Sequence, residues 1–115
     1  MHVTTLSELP TSNFSRELIG DDHGGVDLSI IFVDAAPGRG PSLHRHDYAE
    51  VFIVQEGEAT VTAGDETRVV SAGEIVIVPA GVWHAFTNTG DGALKQIDLH
   101  LNSHFATEWA QDDAG

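Results

Sequence analysis

Cysteine is absent from the 115 residues. That removes disulfides, zinc–thiolate sites, iron–sulfur clusters and thiol nucleophiles together, while leaving the redox compartment open. Basic residues are scarce: Arg16, Arg39, Arg45, Arg68 and Lys95 are scattered among eighteen acidic residues, giving a formal net charge of −13. Without a cationic stripe to neutralise phosphates, nucleic acid and anionic membrane surfaces are poor partners. Long apolar runs are missing as well. The longest, four residues each as at Val51–Val54 and Ile75–Val78, are too short to span a bilayer. The N-terminal stretch MHVTTLSELPTSN has neither a basic start nor a continuous apolar core, so no signal peptide is visible. A cytoplasmic protein is the expectation by elimination. The acidity itself reads first as solubility.

What is present is strand periodicity. Residues 26–34, 51–54, 59–63, 67–70, 75–78, 83–88 and 95–101 are short segments rich in β-branched or aromatic residues. Turn residues separate them: Pro37-Gly38, Gly57, Gly64-Asp65, Gly73, Pro79-Ala80-Gly81 and Gly90-Asp91-Gly92. Regular spacing without helical periodicity predicts an all-β, antiparallel sandwich or barrel. Residues 15–19 add a candidate N-terminal strand. Phe105 and Trp109, at i and i+4, predict a short helix over 103–110. One domain is expected over 14–110, with 1–13 a flexible N-terminal segment and 111–115 a disordered tail.

The chemistry concentrates in four residues. His44 and His46 are one residue apart, a spacing that puts both imidazoles on one face of a strand, and Glu50 follows at an even interval. His84 comes from a separate strand, after Pro79-Ala80-Gly81. Three imidazoles and a carboxylate form a mixed nitrogen and oxygen set suited to a borderline divalent cation. Spacing alone leaves open whether His84 joins the first three.

Two longer patterns bear on that question. Residues 38–57 read Gly38, five residues, His44-x-His46, three residues, Glu50, six residues, Gly57. Residues 73–88 read Gly73, five residues, Pro79-x-Gly81, two residues, His84, three residues, Asn88. Fifteen residues (58–72) lie between them. In that order and spacing the pair resembles the two motifs of the cupin superfamily, in its compact single-domain form. The resemblance implies a jelly-roll-like β-barrel holding one divalent metal ion (iron, manganese, nickel, copper, cobalt or zinc) through His44, His46, Glu50 and His84. No ligand position is substituted. Four protein ligands would leave two sites of an octahedral ion for water, dioxygen or a chelating substrate.

Parity with the ligands makes Phe52, Val54 and Phe86 candidates to line a substrate pocket, with core filling as the plainer reading. Strand 95–101 alternates Gln96, Asp98 and His100 against Ile97, Leu99 and Leu101. Either His100 faces solvent, or His100 and Asp98 border the site as acid–base groups; Tyr48 is a third candidate, with packing as its plainer role. The aromatic pocket candidates and the lack of a clear inward base favour a dioxygenase-type oxidoreductase acting on a small organic molecule. A metal-dependent isomerase, lyase or cyclase is the alternative. A non-catalytic ligand-binding or sensing barrel is the third reading, disfavoured by the lack of a helix-turn-helix segment. The resemblance also implies a homodimer, paired through a sheet face or by exchange of N-terminal strands, with the strand at 26–34 and the segment before it as candidates.

Overall fold

The computed structural model describes residues 1–111. Alternation along the strands sets the architecture. In β5 (Glu50–Glu56), Glu50, Phe52 and Val54 turn inward; in β10 (Leu94–His100), Leu94, Gln96, Asp98 and His100 do so. Eleven strands form two antiparallel sheets among the described residues. A six-stranded sheet runs β1 (Thr11–Ser12), β2 (Ser15–Leu18), β3 (Ser29–Ala35), β10, β5 and β8 (Ile75–Val78). Facing it, a five-stranded sheet runs β11 (Glu108–Trp109), β4 (His44–Arg45), β9 (His84–Asn88), β6 (Glu58–Ala63) and β7 (Glu66–Ser71). The result is a jelly-roll-like, all-β fold.

Between the sheets lies a core of Val33, Ala35, Phe52, Val54, Ala59, Val61, Val70, Val78, Phe86 and Leu94. The tight turn between β5 and β6 depends on Gly57, at φ 83°, where a Cβ would stand 2.4 Å from the Ala93 carbonyl oxygen. Close by, Asn88 ties loop to strand: its Nδ2 donates to Ala35 and Gly92 carbonyls at 2.9 and 2.8 Å, and its Oδ1 accepts from Gly90 N–H.

Three features differ from the sequence expectations. Residues 103–110 form no helix: β11 pairs with β4 instead, Trp109 opposite His44. The segment's backbone groups are used across the barrel, with Ala110 N–H donating to Leu43 and the Ala106 carbonyl accepting from His46, which a local helix would forbid. The expected strand 26–34 begins at Ser29 and lies inside its sheet, between β2 and β10, so it offers no free edge. Residues 1–13, expected to be flexible, carry a 3-10 turn at Leu6–Glu8, the buried Leu9 and strand β1. Of the tail at 111–115, residues 112–115 lie outside the described residues. Among the described residues no helix is long and apolar enough to cross a membrane.

Candidate metal centre

The two sheets each bring part of one cluster. His44 in β4 pairs with His84 in β9 on the five-stranded sheet. Glu50, the first residue of β5, sits across from them on the six-stranded sheet, paired with His100 and Val78. His46 lies in the crossing segment between, held by Gly81 N–H, which donates to the His46 carbonyl at 2.7 Å. This corrects the expectation of one shared strand face. The chain leaves one sheet after Arg45 and enters the other at Glu50, so convergence comes from the crossing rather than from even spacing.

His44, His46, Glu50 and His84 are all at most 6% exposed, and each offers a donor atom within 4.8 Å of the others. The imidazoles are oriented by backbone carbonyls: Nδ1 of His44 by Ser42 at 2.7 Å, of His46 by Ala106 at 3.0 Å, of His84 by Val82 at 2.9 Å. A carbonyl oxygen only accepts, so each Nδ1 carries a hydrogen, and in the neutral form that ligates a metal each ring directs the lone pair of Nε2 inward. Nε2 of His84 and His46 lie 3.0 and 3.1 Å from Oε1 of Glu50. Lone pairs aimed at a carboxylate repel unless a cation stands between them.

The electrostatics carry the same demand. Burial pushes His44 down to about 4, so it is neutral and ready to ligate. For Glu50, burial alone would raise the pKa, but the imidazoles of His100, His46 and His84 crowded against its oxygens outweigh it and hold the carboxyl well below the usual carboxylate range. Burial opposes a charge on His46, yet the Glu50 carboxylate and the Ala106 carbonyl together raise it. The buried Nε2 of His46 has no aligned hydrogen-bond partner. The oriented rings, the paired carboxylate and this orphaned nitrogen fit a divalent metal ion, with a second set of hydrogen bonds holding its ligands.

A cavity of about 420 Å³ opens onto His44, His46, Glu50, Asp98 and His100. Phe14, Phe86, Phe105 and Trp109 wall it, and no lysine or arginine lines it. Of the pocket candidates, Phe86 takes that role. Phe52 and Val54, 0% and 1% exposed, belong to the core behind it, because parity fixes which face a residue occupies but not its depth. His100 and Asp98 are inward and buried, not solvent-facing. His100 Nε2 lies 3.1 Å from Oε2 of Glu50, and Tyr48 Oη lies 2.8 Å from His100 Nδ1. Burial, reinforced by repulsion from Glu50 and opposed by the Gln96 hydrogen bond, raises the Asp98 carboxyl well above its usual range. Tyr48 stacks on His46 with centroids 4.8 Å apart, and burial lifts its hydroxyl to about 12, the Ala106 N–H bond opposing.

The sequence expectations missed Phe14, Phe105 and Trp109 as wall residues. Their only signal was aromatic character in a chain with five other aromatic residues, and the i,i+4 spacing of Phe105 and Trp109 points to a helix instead. The carbonyls of Ser42, Val82 and Ala106 carry no side-chain signal at all.

A family model for the cupin domain matches residues 31–100. Mannose-1-phosphate guanylyltransferase 2 of Escherichia coli O157:H7 is 39% identical over 73 residues, 63% of this chain and 15% of that protein. The HTH-type transcriptional regulator PuuR of Escherichia coli K12 is 27% identical over 101 residues, 87% of this chain and 55% of the regulator. The chain thus spans only part of these relatives. Among solved structures, Bacillus subtilis oxalate decarboxylase, in a study of its Mn(II) centres, superposes with a TM-score of 0.76 at 21% identity, covering 90% of this chain and 30% of that one.

Proposed function

Because the chain belongs to the cupin domain family, we propose that His44, His46, Glu50 and His84 hold one divalent metal ion that acts on a small organic molecule lacking strong negative charge. The observation that carries this reading is the cavity beside the four residues, walled by aromatic rings and free of cationic side chains. An anionic sugar phosphate or dicarboxylate would find no basic side chain there and would face Glu17 and Glu50. An enol or phenol, by contrast, would lie against Phe86, Phe105 and Trp109.

Bound there, a divalent metal would supply Lewis acidity and, if redox-active, electron transfer. The chain's own residues do the remainder. Ser42, Ala106 and Val82 carbonyls fix the imidazoles, and the aromatic wall excludes water and orients a ring. Dioxygenase-type oxidation of an enol or phenol is the leading reaction class, supported by that wall. Metal-dependent isomerisation, lyase or cyclase chemistry has its own support: the inward Asp98, whose carboxyl burial raises well above its usual range, borders the cavity where a proton donor would be needed. Oxygen uptake by metal-loaded protein across a panel of enols and phenols tests the choice. Uptake that stops with His84→Ala supports oxygenase chemistry; turnover without uptake moves the reading to proton transfer; no turnover with any metal removes the enzyme reading. A sensing barrel is the third reading, drawn from the similarity to a transcriptional regulator over 87% of the chain. Tight ligand binding indifferent to metal would favour it.

The same proposal extends to a homodimer of this chain. On the outer face of the six-stranded sheet, Ile77, Val51, Leu99 and Ile30 form one cross-strand row, and Ile75, Ile53, Ile97 and Phe32 the next. Ile75 and Ile77 are 62% and 69% exposed. Over these four strands neither row contains a charge, the second reaching Arg16 only on β2, so in a chain of net charge −13 this face is where a second copy can approach with little repulsion. Light scattering should give twice the chain mass, falling to a monomer with Ile77→Lys; a monomeric wild type at micromolar concentration removes the dimer.

A further inference from the structure

His100 lies outside both sequence motifs, yet its Nε2 lies 3.1 Å from Oε2 of Glu50, and its surroundings differ from those of the ligand histidines in one respect. The three ligand histidines each meet a carbonyl oxygen at Nδ1, which obliges that nitrogen to carry the hydrogen. At Nδ1 of His100 stands a hydroxyl, Tyr48 Oη, at 2.8 Å. That hydroxyl already accepts from Ala106 N–H at 3.3 Å, and its own hydrogen is free to be given to His100. In the neutral ring this makes Nδ1 the acceptor and puts the hydrogen on Nε2, the reverse of the ligand tautomer. The Nε2–H is buried, and Oε2 of Glu50, 3.1 Å away at an oblique angle, is the acceptor it faces.

The two oxygens of Glu50 are therefore addressed by different groups. Oε1 is the one approached by His46 and His84 at 3.1 and 3.0 Å. Oε2 is approached by His100. The ring of His100 is itself fixed, edge-on to Phe105 with centroids 4.8 Å apart and at 4.7 Å from the His46 ring.

We propose that His100, with its tautomer set by Tyr48, is a positioning residue that engages Oε2 of Glu50, so that the carboxylate presents Oε1 alone to the metal ion. This rests on the reading that His44, His46, Glu50 and His84 hold the metal. A carboxylate held by one oxygen occupies one coordination position and leaves the others to water or substrate. Freed from His100, it can swing to use both oxygens and narrow the open side of the ion. His100 thus keeps the centre open without itself ligating.

The test uses Co(II), whose visible absorption and X-ray absorption report coordination, added to the metal-free wild type and to His100→Leu, His100→Gln and Tyr48→Phe. Wild type is expected to bind one equivalent with one carboxylate oxygen at the metal. His100→Leu is expected to change the Co(II) spectrum toward two carboxylate oxygens and to weaken affinity about 10- to 100-fold. His100→Gln, which keeps an N–H donor, is expected to restore the wild-type spectrum. Tyr48→Phe keeps the stacked ring but loses the hydroxyl, and a spectrum shifted in the direction of His100→Leu is expected. If His100→Leu fails to fold, the Gln and Phe variants decide alone. Unchanged Co(II) spectra and affinity in these variants overturn the positioning role while leaving the metal centre intact. Failure of the wild type to bind Co(II) at all overturns the metal reading instead.

Discussion

Followed from one end of the barrel to the other, the inward positions of β5 run Glu50, Phe52, Val54 and those of β9 run His84, Phe86, Asn88, while β10 runs the opposite way, from His100 through Asp98 and Gln96 to Leu94. One end therefore gathers imidazoles and carboxyls around a cavity, and the other closes on Val54, Ala59, Leu94 and Ala35 with Asn88 stitched to two carbonyls. Both ends obey the same alternation and use the same strands. What separates them is depth along the barrel. The apolar end locks the strands together at crystal-like density, and that rigidity lets the other end bring buried donors close together, where their lone pairs conflict without a cation.

The sharpest way to break this contrast is His84→Ala. It should abolish stoichiometric Co(II) binding, about a thousandfold or more in affinity, or about 4 kcal/mol, while far-UV circular dichroism keeps the β signature. A variant that still binds one equivalent tightly would mean that the polar end is not a metal centre. Leu94→Ala addresses the opposite end. It should lower unfolding stability by about 3 kcal/mol in urea titrations and leave Co(II) affinity within about twofold. A comparable loss of affinity would show that the ends are not separable.

Acid should distinguish them next. His44 falls from 6.5 to about 4 in the folded chain. Its depressed value contributes stability that is present above pH 6.5 and is lost as pH falls toward 4, on the order of 2 kcal/mol. His46, raised in the fold, acts oppositely: its contribution is present below pH 6.5 and lost as pH rises through its folded value. Metal-free His44→Gln should therefore lose less stability than wild type between pH 6.5 and 4, read from urea midpoints; equal losses would remove His44 as the acid-sensitive group. The smallest effect is expected on the outer surface of the metal end. Arg45 spans Glu108 at 2.9 Å and the Trp83 ring at 4.3 Å while 39% exposed. Arg45→Ala should cost about 0.5 kcal/mol by the same titration, less at high salt. A loss above about 2 kcal/mol would make the β4–β11 edge part of the centre's support.

Much of this was legible beforehand for a physical reason. Period-two alternation is a local property, so the core strands from Ser29–Ala35 to Leu94–His100 were found within a few residues of their ends. The four converging residues were named because their order and spacing repeat a known pattern. Short elements escaped: β1, β4 and β11 have two residues each, too few for any period to register. The helix expected over 103–110 failed because an i,i+4 pair of aromatics cannot reveal that Ala106 and Ala110 are engaged by His46 and Leu43.

By itself, then, the sequence determined which residues alternate, where the chain turns, and which four side chains are suited to a metal. Only the tertiary structure decided that His44 and Glu50 stand on opposite sheets, that Phe86 rather than Phe52 or Val54 reaches the cavity, and that His100 turns inward against Glu50 with Tyr48 behind it. Parity assigns a face, but depth along the barrel and the carbonyls that orient each ring are set by contacts between residues distant in the chain, which no local pattern encodes.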